Sequence, residues 1–311
     1  MSLLIVGTVA FDKIETPLGK TDKILGGAGT YIGIAASYFT DTTNIVSVIG
    51  DDFPDKYHKI LQDHSINTNG IQVIKDGKTF FWEGKYHDDM NKRDTLATEL
   101  NVLADFDPIV PDNYQNCEFL MLGNLEPNIQ GKVLKQLKQR PKLVVLDTMN
   151  FWMDIAWDAL METISMVDLL TINDEEARQM SGEYSLVKAA RKILTLGPKY
   201  LIIKKGEHGA LLFDKKGNCF FAPALPLEEV FDPTGAGDTF AGGFIGYLAK
   251  TKDLSFENMK RAIIYGSALA SLTVEKFGTD KIAYLKSDDL NDRIKRFKDL
   301  VEVDIKQIDK L

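Results

Sequence analysis

Short, almost uninterrupted apolar runs recur along the chain: LLIV at Leu3 to Val6, NIVSVI at Asn44 to Ile49, FLMLG at Phe119 to Gly123, LVVLD at Leu143 to Asp147, LLTIN at Leu169 to Asn173, and Leu201 to Lys204. Runs this short, without helical period and closed by Gly, Asp or Asn, predict strands buried on both faces. Between them apolar residues return at helical spacing, at Thr30 to Phe39, Ile129 to Gln139, Phe256 to Val274 and Leu290 to Leu300. Strand and helix in alternation predict an α/β fold, a three-layer sandwich around a mostly parallel sheet.

One region breaks the rhythm. Ile71 to Ile74 and Lys78 to Tyr86 read as strands, and TFFWEGKYH is aromatic without helical period. A small β-sheet lid is expected over roughly 71–105, with part of 12–25 joining it. Phe80, Phe81 and Trp82 cannot all share one face of a strand, so their roles must differ. ALLFDKKGNCFFAPA reads as a hairpin turning at Lys216 to Asn218, and the last dozen residues match no single element.

Composition narrows the function classes. The 311 residues suit one large domain, 1–311, carrying a small appendage, and 44% hydrophobic residues against 26% charged allow a sizeable core. A net charge of -8 with no long basic run argues against a nucleic-acid partner. Cys117 and Cys219 lack metal-ligand spacing and no histidines cluster with them, which argues against structural zinc. No leader pattern or membrane-length apolar stretch is seen, so a cytoplasmic location with reduced thiols and no membrane partner is expected.

The densest chemistry lies at Asp232 to Phe244, DPTGAGDTFAGGF. Phe240, Phe244, Tyr247 and Leu248 recur at helical spacing although each interior glycine costs a helix about 1 kcal/mol against alanine. Pro233 and Thr234 stop what precedes, and Gly235, Ala236 and Gly237 open the helix with unpaired amides at the positive end of its dipole, which is an anion site. Asp238, in the first turn, either complements the dipole or takes the proton of an alcohol attacking a bound phosphorus. No G-x-x-x-x-G-K-S/T run is present, so a P-loop is excluded.

Every position from Asp232 to Asp238 matches the signature of the ribokinase-like (PfkB) carbohydrate kinases, which the chain resembles. LGGAGTYIG around Gly26 and Gly27, IGDDF at Ile49 to Phe53, N-x-x-E at Asn173 and Glu176, and KGEHG with Gly206 and Gly209 resemble further landmarks of that family, in the expected order. The resemblance implies a ribokinase-like sandwich with a β lid, ATP and magnesium as cofactors, and transfer of phosphoryl to a sugar hydroxyl. It gives Asp238 the role of base, the turn Gly235 to Gly237 that of anion hole, and Asn173 and Glu176 the arrangement of magnesium and phosphates, Glu176 through water. Lys205, Gly206, Gly209, Thr234 and Gly278 fall on the nucleotide side, and Asp232 by a monovalent cation such as potassium. Asp12, placed in the loop after the first strand, joins Gly26, Gly27, Tyr31 and Asn124 on the acceptor side. A homodimer through the lid is also implied for bacterial relatives.

Where ribokinases contact the sugar through asparagines, the aligned residues here are Ala10 and Tyr31, which speaks against free ribose. A nucleoside acceptor stays open because Phe11, Tyr31, Phe81 and Trp82 would suit a stacked base. A phosphosugar kinase would rest on Lys85, Lys92 and Arg93. A sugar or nucleotide sensor would need no Asp238, so the retained base argues for catalysis.

Overall fold

The computed structural model describes residues 2–302. The strands are β1 (Leu3–Val6), β2 (Ala10–Thr16), β3 (Gly19–Lys20), β4 (Ile24–Gly26), β5 (Thr43–Gly50), β6 (Ile66–Ile74), β7 (Phe81–Tyr86), β8 (Arg93–Glu99), β9 (Phe119–Leu122), β10 (Leu143–Asp147), β11 (Leu169–Asn173), β12 (Tyr200–Lys204), β13 (Ala210–Asp214) and β14 (Cys219–Ala222). The helices are α1 (Ala28–Ser37), α2 (Asp55–Asp63), α3 (Pro127–Gln136), α4 (Asn150–Ile155), α5 (Trp157–Ser165), α6 (Asp174–Ser181), α7 (Leu186–Leu194), α8 (Ala236–Thr251), α9 (Phe256–Thr273) and α10 (Ser287–Val301).

Nine strands form one sheet in the order β14-β13-β12-β11-β10-β9-β1-β5-β6, parallel except where β13 pairs with β12 and β14. The apolar runs read from the sequence occupy its centre. Every residue of β1, β9 and β10 is buried, because helices cover both faces. One face packs residues of α3, α5, α6 and α7, and the other those of α1, α8 and α9. Since β9 to β12 run parallel, Asp147, Asn173 and Lys204 all emerge at the carboxyl edge, where open α/β sheets bind ligands.

The α8 glycines let its neighbours close in. A Cβ at Gly243 would lie 2.9 Å from the Gly266 Cα of α9, and one at Gly246 2.9 Å from the Ala36 Cα of α1. Gly243→Ala should overpack that contact, costing about 1–3 kcal/mol and lowering Tm in a thermal melt with the catalytic residues untouched.

The small sheet is built from β3, β2, β7 and β8 with β4 on β2. The expectation of a lid beginning at residue 71 is corrected: Ile71 to Ile74 pair with Ser47 to Gly50 as the edge of the large sheet, and the small sheet's second segment begins at Phe81. Val73 and Ile74 are exposed on that edge strand, so their apolar character mimicked a separate sheet. Phe81 is buried while Phe80 and Trp82 are half-buried, dividing the three aromatics as alternation required. The stretch predicted as helix at Leu290 to Leu300 lies within α10, and residues 303–311, most of the last dozen, lie outside the described residues.

Candidate active site

Gly235 stands before α8 with φ 73, a left-handed conformation that suits glycine. A Cβ there would also run into the Tyr31 ring, so backbone and phenol are in contact. The Ala236 N–H donates to the Pro233 carbonyl at 3.2 Å, which removes it from the expected anion hole. Among the described residues the amides of Gly235, Gly237 and Asp238 have no such partner and face outward at the positive end of a sixteen-residue helix. Asp238 keeps some surface open, yet lost hydration, and next Asp147, push its carboxyl up to about 7 against the pull of Lys204 and Arg93.

Lys204 leaves the end of β12 and Asp147 the end of β10, with β11 between them, and Nζ meets Oδ1 at 2.9 Å. The Lys204 Nζ also lies 3.3 Å from where a Gly237 Cβ would sit. Burial works hardest against its charge, but Asp147, Glu176 and Asp238 outweigh it and hold the ammonium above its ordinary pKa. Gln130 of α3 fixes this corner, its amide donating to the Gly123 and Asp147 carbonyls at 2.7 and 3.1 Å.

Asn173 and Glu176 form a reciprocal cap on α6: the Asn173 Oδ1 accepts from the Glu176 N–H at 2.8 Å, and the Glu176 Oε2 accepts from the Asn173 N–H at 2.7 Å. The spacing thus has a structural use of its own. Glu176 is nevertheless buried, and desolvation raises it to about 7 despite the opposing field of Lys204.

On the acceptor side Asp12 lies inside β2, opposite Ile24 of β4, rather than in the loop after β1. The loop reading failed because β2 starts only three residues after β1 ends, at Ala10 after Gly7, Thr8 and Val9. The Asp12 carboxyl fills the space beside Gly26, where a Cβ would collide with it. Burial, then Asp232, raise Asp12 to about 7, the Gly27 amide opposing. Tyr31 is buried against Gly235 with its hydroxyl unpartnered, and burial with the charges of Asp12, Asp232 and Asp238 drives its pKa well up. Asn124 is not joined to this group by its own bonds: its Oδ1 accepts from the Trp152 indole at 2.9 Å, and its amide reaches the Met149 sulfur. Phe11 and Phe81 belong to a buried cluster with Phe53 and Tyr57, which takes them out of any open stacking surface.

On the opposite flank the buried Asp232 carboxylate accepts from the Thr234 and Gly278 amides, both at 2.8 Å, tying the turn before α8 to the segment after α9. Gly206 and Gly209 form a tight loop with φ 53 and 90. Lys205 turns away to lie 5.7 Å from the Phe221 ring. The small sheet reaches across: the Thr234 hydroxyl donates to Tyr86 at 3.0 Å, and Asn91 crowds Gly206. Lys85 and Lys92 are held by Glu15 and Asp89 at the surface, whereas Arg93, the cross-strand partner of Tyr86, forms no ion pair among the described residues. Tyr86, Gln130 and the pairing of Asp147 with Lys204 are the parts that sequence reasoning missed, although the sequence alone places Asp147 at a strand end toward the cleft and Lys204 where an ammonium can contact ATP phosphate. Asp147 and Lys204 carried a signal, each ending an apolar run, but their meeting depends on strand order.

Comparison with known proteins decides the family. A model described as pfkB family carbohydrate kinase matches residues 5–284. The chain belongs to the pfkB family. This pfkB kinase is 30% identical over 260 residues to a cytidine kinase of Thermococcus kodakarensis, covering 82% of this chain and 91% of the relative. Its fold is that of the Methanocaldococcus jannaschii nucleoside kinase, an archaeal member of the ribokinase family, with TM-score 0.75, 21% identity, and coverage of 95% of this chain and 98% of that one. It is also that of an E. coli protein described as a ribokinase II in complex with ATP and Mg2+, with TM-score 0.79, 19% identity, and coverage of 95% and 99%. The pfkB kinase is thus a ribokinase-fold phosphotransferase of the sugar and nucleoside kinase group, and no described helix is long and apolar enough to cross a membrane.

Proposed function

We propose that this enzyme transfers the γ-phosphoryl group of ATP to a hydroxyl on the sugar part of its acceptor, with Asp238 as general base. The observation that carries this reading is one place: the Asp238 carboxyl, the unpartnered amides of Gly235 and Gly237, and the Lys204 ammonium converge at the start of α8. Asp238 takes the acceptor's O–H proton, the oxygen bonds to the γ-phosphorus, the bond to the bridging oxygen breaks, and ADP leaves with that electron pair. The amides hold the charge that builds on the transferring group. Asp12 and Tyr31 hold the acceptor, while Gly206, Gly209, Thr234 and Gly278 border the nucleotide.

The donor set suits magnesium only as an ion that keeps its waters. Among the described residues no three His, Cys, Asp or Glu side chains converge on a metal position, and one Glu176 oxygen is engaged by its cap. Glu176 and Asp238 would face the ion through water, and magnesium would neutralise phosphate charge. For Asp232, both oxygens already accept amide hydrogens, so a monovalent cation would have to share them.

The E. coli protein's complex with ATP and Mg2+ supports the donor and the ion, and the cytidine kinase supports a nucleoside as first acceptor to try. The paired Lys85 and Lys92 leave a phosphosugar with Arg93 alone. ADP release should be measured with magnesium, with and without potassium, over nucleosides, free sugars and phosphosugars. Turnover on nucleosides is expected; turnover on phosphosugars alone would move the acceptor, and none on any class would place the acceptor outside all three. The kcat/KM profile should rise with pH and level off above about 7, since the base acts only once Asp238 has lost its proton.

A further inference from the structure

We propose that Lys204 is a catalytic residue, a phosphoryl-stabilising cation held in place by Asp147 as its positioning residue. The inference rests on the kinase reading above and adds a group to it. Three observations point the same way. The ammonium lies in the cleft at the mouth of the amide turn, 3.3 Å from the side-chain position of Gly237, where the transferring group's oxygens must lie if those amides hold them. The Lys204 side chain is 19% exposed and that of Asp147 7%, so this pair is partly shielded from water and its charges act strongly at short range. And the pair is built, not incidental: Asp147 spans past β11 to reach it at 2.9 Å, with Gln130 clamping the Asp147 carbonyl.

A structural ion pair would account for the 2.9 Å contact but not for its placement. Such a pair gains most when both charges are satisfied by each other and by further donors. Here the ammonium donates to one acceptor among the described residues, Asp147 Oδ1 at 2.9 Å, which leaves donor capacity toward the cleft. As charge builds on the γ-phosphoryl oxygens, Lys204 can donate to them without leaving Asp147. Burial first and Asp147 of β10 next raise the proton affinity of Asp238, while Lys204 of β12 and Arg93 of β8 lower it.

The test compares Lys204→Met, Lys204→Arg, Asp147→Asn and Asp238→Asn, with the acceptor found to turn over. Lys204→Met should lower kcat about 10²-fold with the acceptor KM within threefold, the loss typical of one removed oxyanion donor. Lys204→Arg should recover at least tenfold of it. Asp147→Asn, which loses the contact that positions the ammonium, should lower kcat by less than Lys204→Met does, with the acceptor KM within threefold. A kcat within threefold of wild type in Lys204→Met would overturn the proposal. If Lys204→Met does not fold, Lys204→Gln takes its place under the same thresholds: a kcat about 10²-fold down supports the proposal, and one within threefold of wild type overturns it. Should Asp238→Asn keep full activity, its assignment as the base fails; should it be inactive while Lys204→Met is not, only this inference does.

Discussion

Asp238→Asn is expected to cut kcat by about 10² to 10⁴-fold while the dissociation constant for ATP changes less than threefold. The amide is nearly the same size, so the first turn of α8 and the outward amides of Gly235 and Gly237 should persist. What is lost is proton acceptance by a carboxyl that burial and Asp147 hold at about 7. The same environment forecasts the effect on folding. A raised carboxyl binds its proton more tightly in the folded chain than in the unfolded one, so it contributes stability below the unfolded value near 4 and loses it as pH climbs toward 7. Above 7 the wild type carries a poorly solvated charge that asparagine does not, and the variant should melt no lower than wild type at pH 8. Loss of turnover with an unchanged melt marks a base. A fall in Tm matching the fall in rate would mean that Asp238 holds structure instead, and a kcat within threefold of wild type would end the assignment.

The sheet was legible because its strands are buried on both faces: nothing but an apolar run can occupy β1, β9 or β10, and such runs end where a glycine or a carboxylate, as at Gly123 and Asp147, breaks the apolar pattern. The edges were not legible by that rule. Exposed Val73 and Ile74 belong to the large sheet, and only the backbone pairing of β6 with β5 says so. In the site, residues that act through local backbone could be read from one stretch, as with Gly235 and Asp238, or Asn173 and Glu176. Even there the Ala236 amide is bonded within its own turn. Asp147 with Lys204, and Thr234 with Tyr86, are separated by 57 and 148 residues, and no spacing rule links them. Burial of Phe11 and Phe81 against Phe53 likewise follows from packing, and it removed a stacking surface that composition had suggested.

Asp12→Asn should separate acceptor binding from stability more sharply than any other change in the cleft. The carboxyl is wedged beside Gly26, with Tyr31, Asp232 and Asp238 within its field, and burial holds it at about 7. If it accepts hydrogen bonds from acceptor hydroxyls, the amide can accept through one oxygen only and presents an N–H₂ where an acceptor atom is needed. Sites built to bond a hydroxyl discriminate strongly when one partner is wrong, so the acceptor KM should rise about 10²-fold or more, with the ATP KM within threefold. Stability should move the other way. The wild-type carboxyl is protonated below its folded value and ionised above it, and its ionisation in a buried site costs stability progressively from about pH 4 to 7. Asparagine carries no such charge. The variant's Tm should therefore exceed wild type by about 2–4 °C at pH 8, an amount corresponding to roughly 1–2 kcal/mol in a chain of this size, and the gain should vanish near pH 5. A gain in stability accompanied by lost binding is what a site strained for its ligand produces. An unchanged acceptor KM would move Asp12 out of the binding site, and a Tm difference independent of pH would show that its carboxyl is not the buried group described.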